Sequence, residues 1–366
     1  MSDNQSIPWW KVHFGQAEAQ ATYDAIMGKN ISQGALCARL EEELATLFQV
    51  PHAICTTSGS AALHIALKAA GVGPGDEVLV PDRTFIATAN AAVLLGATVR
   101  TVEVMPDLPM MDPDRLEEAI SSRTKAILVV HLNGRICPMD RIAAIAKAHG
   151  VLLLEDAAQA ACSRNHLGAA GSFGIASGLS FSMAKLFSTG QGGAILCRDE
   201  EVFRKANLYK NHSVQDTFHS QYPEFGFNFK FTDIQAAVAL AQLRRLPEKL
   251  AKLNTLYAFY QREFPVSERL RLIPVRVEQG EIPMYIDGYS SEADSIMSQL
   301  RSRGIETRPF HPSLHRSPYL RKASGSYENS LRFESRGFFL PSGPDQSLED
   351  AARVCQTVTD ILRAKK

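Results

Sequence analysis

Short apolar runs alternate regularly with helical segments across residues 53–156, and this pattern limits the chain to one class of fold. The apolar runs are AICTT (53–57), EVLVP (77–81), TVRTVEV (98–104), KAILVVHL (125–132) and VLLLED (151–156). Between them lie segments typical of helices, such as DPDRLEEAI, where Asp112 can cap the helix and Pro113 suits its first position. Strands that are apolar throughout and are separated by helices indicate a parallel sheet covered on both faces. We therefore predict a large three-layer α/β/α domain on a mostly parallel sheet.

A change of pattern near residues 240–260 predicts a second, smaller domain. There the sequence becomes one long charged helix, QAAVALAQLRRLPEKLAKLNTLYAFYQREF, and the segment after it (270–345) has fewer alanines and more arginines and prolines. We interpret this helix as a bridge between two domains, which a chain of 366 residues can accommodate. The predicted division is a large domain over 1–250 and a smaller C-terminal α+β domain over 251–366.

The charge balance and the apolar content of the chain exclude several classes of function. Thirty-nine basic residues balance thirty-nine acidic ones, so no overall positive field attracts nucleic acid or an anionic membrane. No apolar stretch approaches the roughly 18 residues of a membrane span, and the start MSDNQSIPWWK lacks the apolar core of a signal peptide. We therefore expect a cytoplasmic protein. The cysteines form no CxxC pair and have no histidine-rich tract beside them, which predicts free buried thiols and no metal site at Cys37, Cys55, Cys137, Cys162, Cys197 and Cys355.

The carboxyl ends of the predicted strands are the place to look for a functional site, because parallel sheets bind their ligands there. The segments that follow the strands are Thr57–Ser60, Arg83–Phe85, His131–Arg135 and Asp156–Gln159.

Asp156 ends an apolar strand, so its carboxylate is expected to be partly buried. A buried carboxylate needs a cationic or hydrogen-bonding partner. One interpretation is a helix cap or a structural ion pair. The other is the protonated ring nitrogen of pyridoxal phosphate (PLP), which needs an anion beside it to act as an electron sink.

The tripeptide Ser58-Gly59-Ser60 lies between a strand and a helix rich in small residues. Exposed amide groups and the helix dipole make such a junction suitable for an anion, although serine and glycine there often serve only as a cap. The chain contains neither the GxxxxGK[ST] phosphate loop nor a GxGxxG dinucleotide fingerprint after a strand.

Lys185 stands between an apolar strand end (Leu179–Phe181) and a Ser-Thr-Gly-x-Gly-Gly turn. Apolar neighbours lower the pKa of a lysine amine and make it available for imine chemistry, whereas a lysine in a surface loop needs no such role. Two further residues have two interpretations each. Phe85 fits either the core or the face of a cofactor ring, and Asn228 satisfies either the local backbone or a ligand.

Taken together, these segments resemble the DegT/DnrJ/EryC1/StrS family of sugar aminotransferases, which are fold-type I PLP enzymes. The resemblance runs in order over nearly the whole chain, from residues 31–34 to the C-terminal domain. TTSGSAAL resembles the family's NGTxAL, which implies that Gly59 and Ser60 hold the cofactor phosphate, with Ser58 and Ser60 in place of the commoner Asn and Thr. TFIATANA resembles the segment whose aromatic residue stacks on the pyridine ring, which implies that role for Phe85.

Two more segments carry the centre of the resemblance. EDAAQA implies that Asp156 binds the ring nitrogen and Gln159 the ring hydroxyl. SFSMAKLFSTGQGG resembles SFxxxKxxTTGEGG, which implies that Ser180 binds the phosphate and that Lys185 forms the Schiff base. Gln191 stands where the family usually has Glu. Some relatives that act as dehydratases have His at the lysine position, so Lys185 argues against that branch.

The remaining matches concern the partner subunit and the substrate. GFNFKFTDIQAA resembles GYNYRMTNIQAA, whose Asn binds the phosphate of the neighbouring subunit's cofactor, so Asn228 implies a homodimer with shared active sites; Lys230 replaces Arg. TRPFHPSLHRSPY resembles a loop near the substrate, which makes Arg308 and His315 candidates for sugar-nucleotide contact. A surface loop with basic residues is the alternative.

The resemblance implies a transaminase that takes an amino group from L-glutamate and gives it to a nucleotide-linked keto-sugar, with pyridoxamine phosphate as the intermediate form of the cofactor. A 4-keto-6-deoxyhexose, as in perosamine and lipopolysaccharide O-antigen synthesis, is the expected acceptor. The alternatives are another keto-sugar or a cyclitol, a non-catalytic PLP-binding relative, and a nicotinamide-dependent enzyme, which the missing glycine fingerprint disfavours.

Overall fold

The computed structural model describes residues 6–29, 31–215, 222–320 and 325–364, so the outermost ends of the two predicted domains lie outside the described residues. Within these ranges the α-helices are α1 (Gln16–Met27), α2 (Ala35–Phe48), α3 (Gly59–Ala69), α4 (Ala87–Val93), α5 (Pro113–Ala119), α6 (Met139–His149), α7 (Glu200–Lys210), α8 (Asp233–Arg244), α9 (Leu246–Glu263), α10 (Ala293–Ser302), α11 (Glu328–Arg336) and α12 (Leu348–Arg363). The strands are β1 (His52–Thr56), β2 (Glu77–Pro81), β3 (Thr98–Val102), β4 (Thr124–Val130), β5 (Leu152–Asp156), β6 (Arg164–Asn165), β7 (Gly168–Ala169), β8 (Ala176–Ser180), β9 (Gly193–Cys197), β10 (Leu270–Leu272), β11 (Ile286–Ser290), β12 (Arg308–Pro309) and β13 (Gly337–Leu340).

A seven-stranded sheet forms the large domain, in the order β1-β9-β8-β5-β4-β2-β3. The five strands from β8 to β3 are parallel to one another, and β9 runs antiparallel to both of its neighbours. The mostly parallel sheet predicted from the sequence is therefore confirmed. Its parallel strands bring their carboxyl ends, and the loops that follow, to one edge.

The sheet is buried on both faces, as the apolar strands predicted. Along β4, Ile127 and Val129 pack into one hydrophobic cluster, while Ala126 and Leu128 pack into another on the opposite face. This alternation follows from the period of two residues in a strand. Helices cover both faces of the sheet, so the side chains on each face are shielded from solvent.

Local signals set the ends of the helices close to the predicted positions. The Ser58 hydroxyl caps α3 by accepting a hydrogen bond from the Ala61 N–H at 3.1 Å. Asp112 caps α5 by accepting from the N–H of Asp114, with Pro113 at the start of the helix. The α3 cap matters most for function, because it fixes the first turn of that helix at the ligand-binding edge of the sheet.

A four-stranded antiparallel sheet, β10-β11-β13-β12, forms the smaller domain. Its buried side packs with α9, α10 and α12 in a separate hydrophobic cluster. The N-terminal segment joins this domain, since Ile7 forms a bridge with Ile305 and Trp10 forms one with Ser342.

The long charged helix expected across 235–264 is interrupted. The structure has two helices, α8 and α9, with Arg245 between them and Pro247 in the first turn of α9. Proline has no N–H to donate and clashes with the preceding turn, so it suits the start of a new helix and not the interior of one. The predicted domain division at 250/251 falls inside α9 and stays a prediction.

All six cysteines are buried and unpaired, as predicted. Across the described ranges no helix is both long enough and apolar enough to cross a membrane.

Candidate active site

A cavity of about 620 Å³ opens at the carboxyl edge of the large sheet and is closed on its other side by the smaller domain. Its wall contains most of the residues that the sequence singled out: Gly59, Ser60, Phe85, Asp156, Gln159, Ser180, Lys185 and Arg308. Trp9, Tyr285, His311 and Phe339 line it as well. Segments that are far apart in the sequence therefore meet in one site.

Asp156 lies at the end of β5 and is 6% exposed. One carboxylate oxygen accepts a hydrogen bond from the Thr88 hydroxyl at 2.7 Å, and the other accepts from the Ala158 N–H at 3.0 Å. Burial raises the pKa of this carboxyl, while the two hydrogen bonds and the positive charge of Lys185 oppose the rise. The site thus holds a fixed carboxylate that can stabilise a cationic group placed beside it.

Lys185 follows β8 in a turn and faces the cavity. Its ammonium donates a long hydrogen bond of 3.5 Å to the Tyr285 hydroxyl. The surrounding protein removes the amine from water and lowers its pKa to about 8, with the charge of Asp156 acting in the opposite direction. A lysine with this pKa has a substantial neutral fraction near neutral pH, which is what a nucleophilic or proton-transferring amine requires.

The first turn of α3 forms an anion-binding corner of the cavity. The Ala61 N–H donates to the capping Ser58 hydroxyl and the Ala62 N–H to the Ser58 carbonyl, which leaves the N–H groups of Gly59 and Ser60 as the free donors expected at a helix start. A Cβ atom on Gly59 would lie only 2.8 Å from the Cβ of Ser180, so a glycine is needed for the close approach of α3 to β8. The hydroxyls of Ser60 and Ser180 line the same wall.

Two predicted ring contacts, Phe85 and Gln159, lie on the cavity wall. The Phe85 ring is 49% exposed and stands edge-on to the His311 imidazole, with ring centres 5.2 Å apart. Burial lowers the pKa of His311 to about 4, helped by the charges of Arg83 and Lys185, so this imidazole is neutral at pH 7. The Gln159 side chain is almost buried and makes no hydrogen bond to the other described residues, which leaves its amide for a ligand.

Tyr285 was not found by sequence reasoning. It is 5% exposed and lies just before β11, and its hydroxyl donates to the Ala184 carbonyl at 2.5 Å while it accepts from Lys185. Its ring packs against Trp9 and Trp10, with ring centres 5.9 Å and 5.2 Å away. The sequence does show two adjacent tryptophans, Trp9 and Trp10, which indicate a buried aromatic contact. Nothing in the sequence indicated that Tyr285 would be the residue they pack against.

The remaining candidates lie at the edge of the site or away from it. Arg308 lines the cavity, with its guanidinium 5.9 Å from the centre of the Trp9 ring. His315 does not line the cavity; its imidazole bonds to the Asp82 carboxylate at 2.8 Å and stacks on Tyr327. Asn228 also lies outside the wall of this chain's cavity, and its side-chain oxygen accepts from the Lys230 N–H at 3.2 Å. The roles expected for His315 and Asn228 stay predictions.

The donor set of this cavity fits pyridoxal phosphate. One end has helix N–H groups and two serine hydroxyls, which suit a phosphate. The other end has a buried carboxylate for a protonated ring nitrogen, and a lysine of lowered pKa lies within the same wall. The absence of a side chain at Gly59 also lets the first turn of α3 lie close to Ser180, so that the N–H groups and the serine hydroxyl are brought together. Among the described residues no group of three His, Cys, Asp or Glu side chains is arranged to hold a metal ion.

Comparisons with known proteins match this chain over most of its length. Residues 13–359 match the family model described as the DegT/DnrJ/EryC1/StrS aminotransferase family. GDP-perosamine synthase of Caulobacter vibrioides is 35% identical over an alignment of 344 positions, gaps included, that covers 90% of this chain and 91% of that protein. The spore coat polysaccharide biosynthesis protein SpsC of Bacillus subtilis is 30% identical over an alignment of 384 positions, gaps included, that covers 98% of each chain.

Solved structures resemble the whole chain. DesV of S. venezuelae, determined in complex with a ketimine intermediate, has a TM-score of 0.91 at 29% identity and covers 98% of each chain. The aminotransferase TlmJ from Streptoalloteichus hindustanus has a TM-score of 0.93 at 26% identity, covering 99% of this chain and 100% of that one. These neighbours have the fold-type I arrangement, so the predicted fold class is confirmed.

Proposed function

The chain belongs to the DegT/DnrJ/EryC1/StrS aminotransferase family and is a sugar aminotransferase, and we propose that it transfers an amino group from L-glutamate to a nucleotide-linked keto-sugar. We further propose that it does so with pyridoxal phosphate in the cavity described above. The observation that carries the proposal is that Lys185, with its lowered pKa, shares a cavity wall with the buried Asp156 and with the open first turn of α3.

The residues that would hold the cofactor divide into two groups. Gly59, Ser60 and Ser180 would bind the phosphate through backbone N–H groups and hydroxyls. Asp156 would bind the ring nitrogen, Gln159 the ring hydroxyl, and Phe85 would lie against the ring face. Lys185 would hold the cofactor covalently through its amine.

Pyridoxal phosphate, when bound, supplies an electron sink for the bonds of the amino-bearing carbon. Asp156 would keep the proton on the ring nitrogen, because its hydrogen bonds to Thr88 and Ala158 fix the carboxylate and support its negative charge. The donor's amino group would first displace the Lys185 amine from the cofactor. Lys185 would then act as general base and acid: its freed neutral amine would take the proton from the donor's α-carbon and later deliver it to the carbon from which the lysine was released. Tyr285 would orient that amine through its hydroxyl.

The proposed acceptor is a nucleotide-linked 4-keto-6-deoxyhexose, as in a perosamine synthase. The 35% identity to GDP-perosamine synthase supports this sugar class. Arg308, half-exposed at the cavity and close to Trp9, is our candidate for a contact with the negatively charged diphosphate of the substrate. His315 would act only if the loop that carries it approaches the substrate.

We propose a homodimer in which Asn228 reaches the cofactor phosphate of the partner subunit. The segment before it exposes three large aromatic side chains, Tyr222, Phe225 and Phe227, with exposed fractions of 69%, 72% and 54%. Clustered exposed aromatics mark protein interfaces more often than free surface. We also propose that the protein acts in the cytoplasm. Its product would then be used in a surface polysaccharide such as the O-antigen.

The absorption spectrum of the purified protein, recorded with pyridoxal phosphate before and after addition of L-glutamate, tests the core of this function. We expect a yellow band that bleaches with glutamate and that is absent or altered in Lys185→Ala. The matched control is Lys252→Ala, a lysine in an exposed ion pair with Glu248, which should leave the spectrum unchanged.

Each other outcome has a definite meaning. A protein that gives no band with the cofactor would contradict the proposal and favour a non-catalytic or nicotinamide-dependent relative. A band that does not respond to glutamate would keep the cofactor and remove the proposed donor. Amine transfer from glutamate to a panel of nucleotide-linked keto-sugars and cyclitols, followed by mass spectrometry, would then identify the acceptor.

A further inference from the structure

Lys249 in α9 is a lysine in the core of the protein, fully withdrawn from solvent. Its ammonium donates to the carbonyl oxygen of Leu186 at 3.2 Å and to the side-chain oxygen of Gln242. Both acceptors are uncharged, and burial lowers the pKa of the amine to about 8. An ammonium in such a place is costly, and a methionine would fill the same volume without that cost. Packing alone therefore does not explain a lysine here.

A chain of buried hydrogen bonds continues from Lys249 to the N-terminal helix. The Gln242 amide donates to a carboxylate oxygen of Glu18 at 2.6 Å. The other oxygen of Glu18 accepts from the Gly15 N–H at 2.8 Å, at the start of α1. Glu18 and Gln242 are 3% and 0% exposed, so water does not compete for these bonds. The chain thus connects α1, α8 and α9 with the turn that carries Lys185.

The acceptor at the end of this chain is the carbonyl of Leu186, the residue directly after Lys185. The carbonyl directly before Lys185, that of Ala184, accepts from the Tyr285 hydroxyl at 2.5 Å. Buried side chains from two different parts of the fold therefore hold the backbone on both sides of Lys185. Leu186 is buried, so its carbonyl is costly to leave without a donor, and together the two bonds restrict the turn.

We propose that Lys249 is a positioning residue for Lys185, and that Glu18 and Gln242 couple helix α1 to the turn that presents this amine. The inference rests on the proposed function only in taking Lys185 as the working amine. The chain of hydrogen bonds is a property of the protein alone and is tested without glutamate or sugar.

The test uses the full chain with Lys249→Met, which keeps the length of the side chain and removes the donor. The control is Lys252→Met on the same helix, where the lysine is 45% exposed and pairs with Glu248. Two readouts are taken after removal of bound cofactor: hydrogen exchange of the segment 182–192, and the pH profile of trace acetylation of Lys185, followed by peptide mass spectrometry.

In Lys249→Met we expect amides of 182–192 to exchange at least about ten-fold faster, because the turn opens more often. The Lys185 amine is then less withdrawn from water, and the midpoint of its acetylation moves upward from about 8, since burial is the cause of the lowered pKa. A rise of one pH unit slows acetylation at pH 8 about five-fold, because the neutral fraction falls from about a half to about a tenth. Lys252→Met should leave both readouts unchanged.

A folded Lys249→Met protein with the exchange and the pH profile of the parent overturns the proposal. If that variant does not fold, Glu18→Leu tests the same chain from its far end and should shift both readouts in the same direction by a smaller amount. A folded Glu18→Leu without any shift overturns the coupling to α1. Because both readouts are independent of turnover, a failure of transamination and a failure of this inference are distinguished directly.

Discussion

The guanidinium of Arg135 and the carboxylate of Asp287 form an ion pair of 2.6 Å in which neither side chain reaches water. Arg135 follows β4 of the large sheet, and Asp287 lies in β11 of the small one. The Asn133 amide also donates to both oxygens of Asp287, at 3.1 Å and 3.0 Å. The ion pair therefore links the large sheet to the small one. Asp287 is two residues after Tyr285, so this link lies beside the cavity.

Removing one partner of this pair should destabilise the protein strongly. Asp287→Ala leaves a buried guanidinium without its counter-ion, and we expect the free energy of unfolding to fall by about 3–5 kcal/mol. Urea denaturation measures the change. The control is Glu43→Ala, which breaks an exposed pair with Arg39 and should cost at most about 0.5 kcal/mol. A loss below about 1 kcal/mol in Asp287→Ala would show that the sheets are held by packing alone.

Tyr285→Phe should reduce turnover while it keeps the fold. The substitution removes the hydroxyl that contacts Lys185 and Ala184 but retains the ring that packs on Trp9. We expect kcat to fall about ten-fold, which corresponds to about 1.4 kcal/mol. Tyr289→Phe is the matched control, because the hydroxyl of Tyr289 bonds to no other described residue. Equal kcat values for the two variants and the parent would remove Tyr285 from the site.

Asp156→Asn should keep or increase the stability of the cofactor-free protein while it abolishes most of the activity. Burial raises the pKa of this carboxyl, so the folded state holds its proton more tightly than the unfolded state does. The contribution of Asp156 to the free energy of unfolding therefore decreases as the pH rises from the pKa of the unfolded state to that of the folded state. At pH 7 the charged carboxylate lowers the stability of the folded protein. We expect Asp156→Asn, without cofactor, to be at least as stable as the parent in urea at pH 7.

The same variant should lose transamination about a hundred-fold or more, because the charge beside the ring nitrogen is gone. Asp107→Asn, at an exposed carboxylate, should change neither property. A variant that is much less stable at pH 7 would contradict the assignment of a net electrostatic cost to Asp156.

Gly59→Ala should weaken cofactor binding specifically. The added methyl would lie 2.8 Å from the Cβ of Ser180 and 3.2 Å from the Leu179 carbonyl oxygen, so α3 must shift away from β8. Overpacking of this kind raises the free energy of the close-packed arrangement of α3 and β8 by about 1–3 kcal/mol. Because the phosphate site depends on that arrangement, we expect the Kd for pyridoxal phosphate to rise about ten-fold or more. Gly73→Ala, after the other end of α3, meets nothing within 4 Å and is the control. Titration of absorbance against cofactor concentration measures both.

The parallel part of the large domain was predictable because its signal is local. EVLVP coincides with β2 at residues 77–81, and every residue of this strand is buried, as an apolar run between two covering layers must be. Once such strands are parallel, their carboxyl ends share one edge. The candidates Gly59, Phe85, Asp156 and Lys185 therefore meet in the structure although their functional roles stay predictions.

Other features depend on contacts that a single segment does not reveal. The run GAILC is recognisable as a strand, but β9 is antiparallel because the link from β8 contains the Lys185 turn and no crossover helix. Tyr285 and His311 come from the smaller domain, whose antiparallel strands are short and whose loops give no periodic signal. The break at Pro247, by contrast, was visible in the sequence and should have ended the predicted helix.

The N-terminal segment meets its partners at the far end of the chain. The Trp9 N–H donates to Glu306 across a separation of 297 residues, and Trp9 also forms part of the cavity wall. During synthesis on the ribosome Trp9 emerges 297 residues before Glu306, so this contact cannot form until the residues between them have been made. We therefore expect Trp9 and Trp10 to lack these native contacts until Glu306 and Ser342 have emerged, and the wall of the cavity to be completed late in folding.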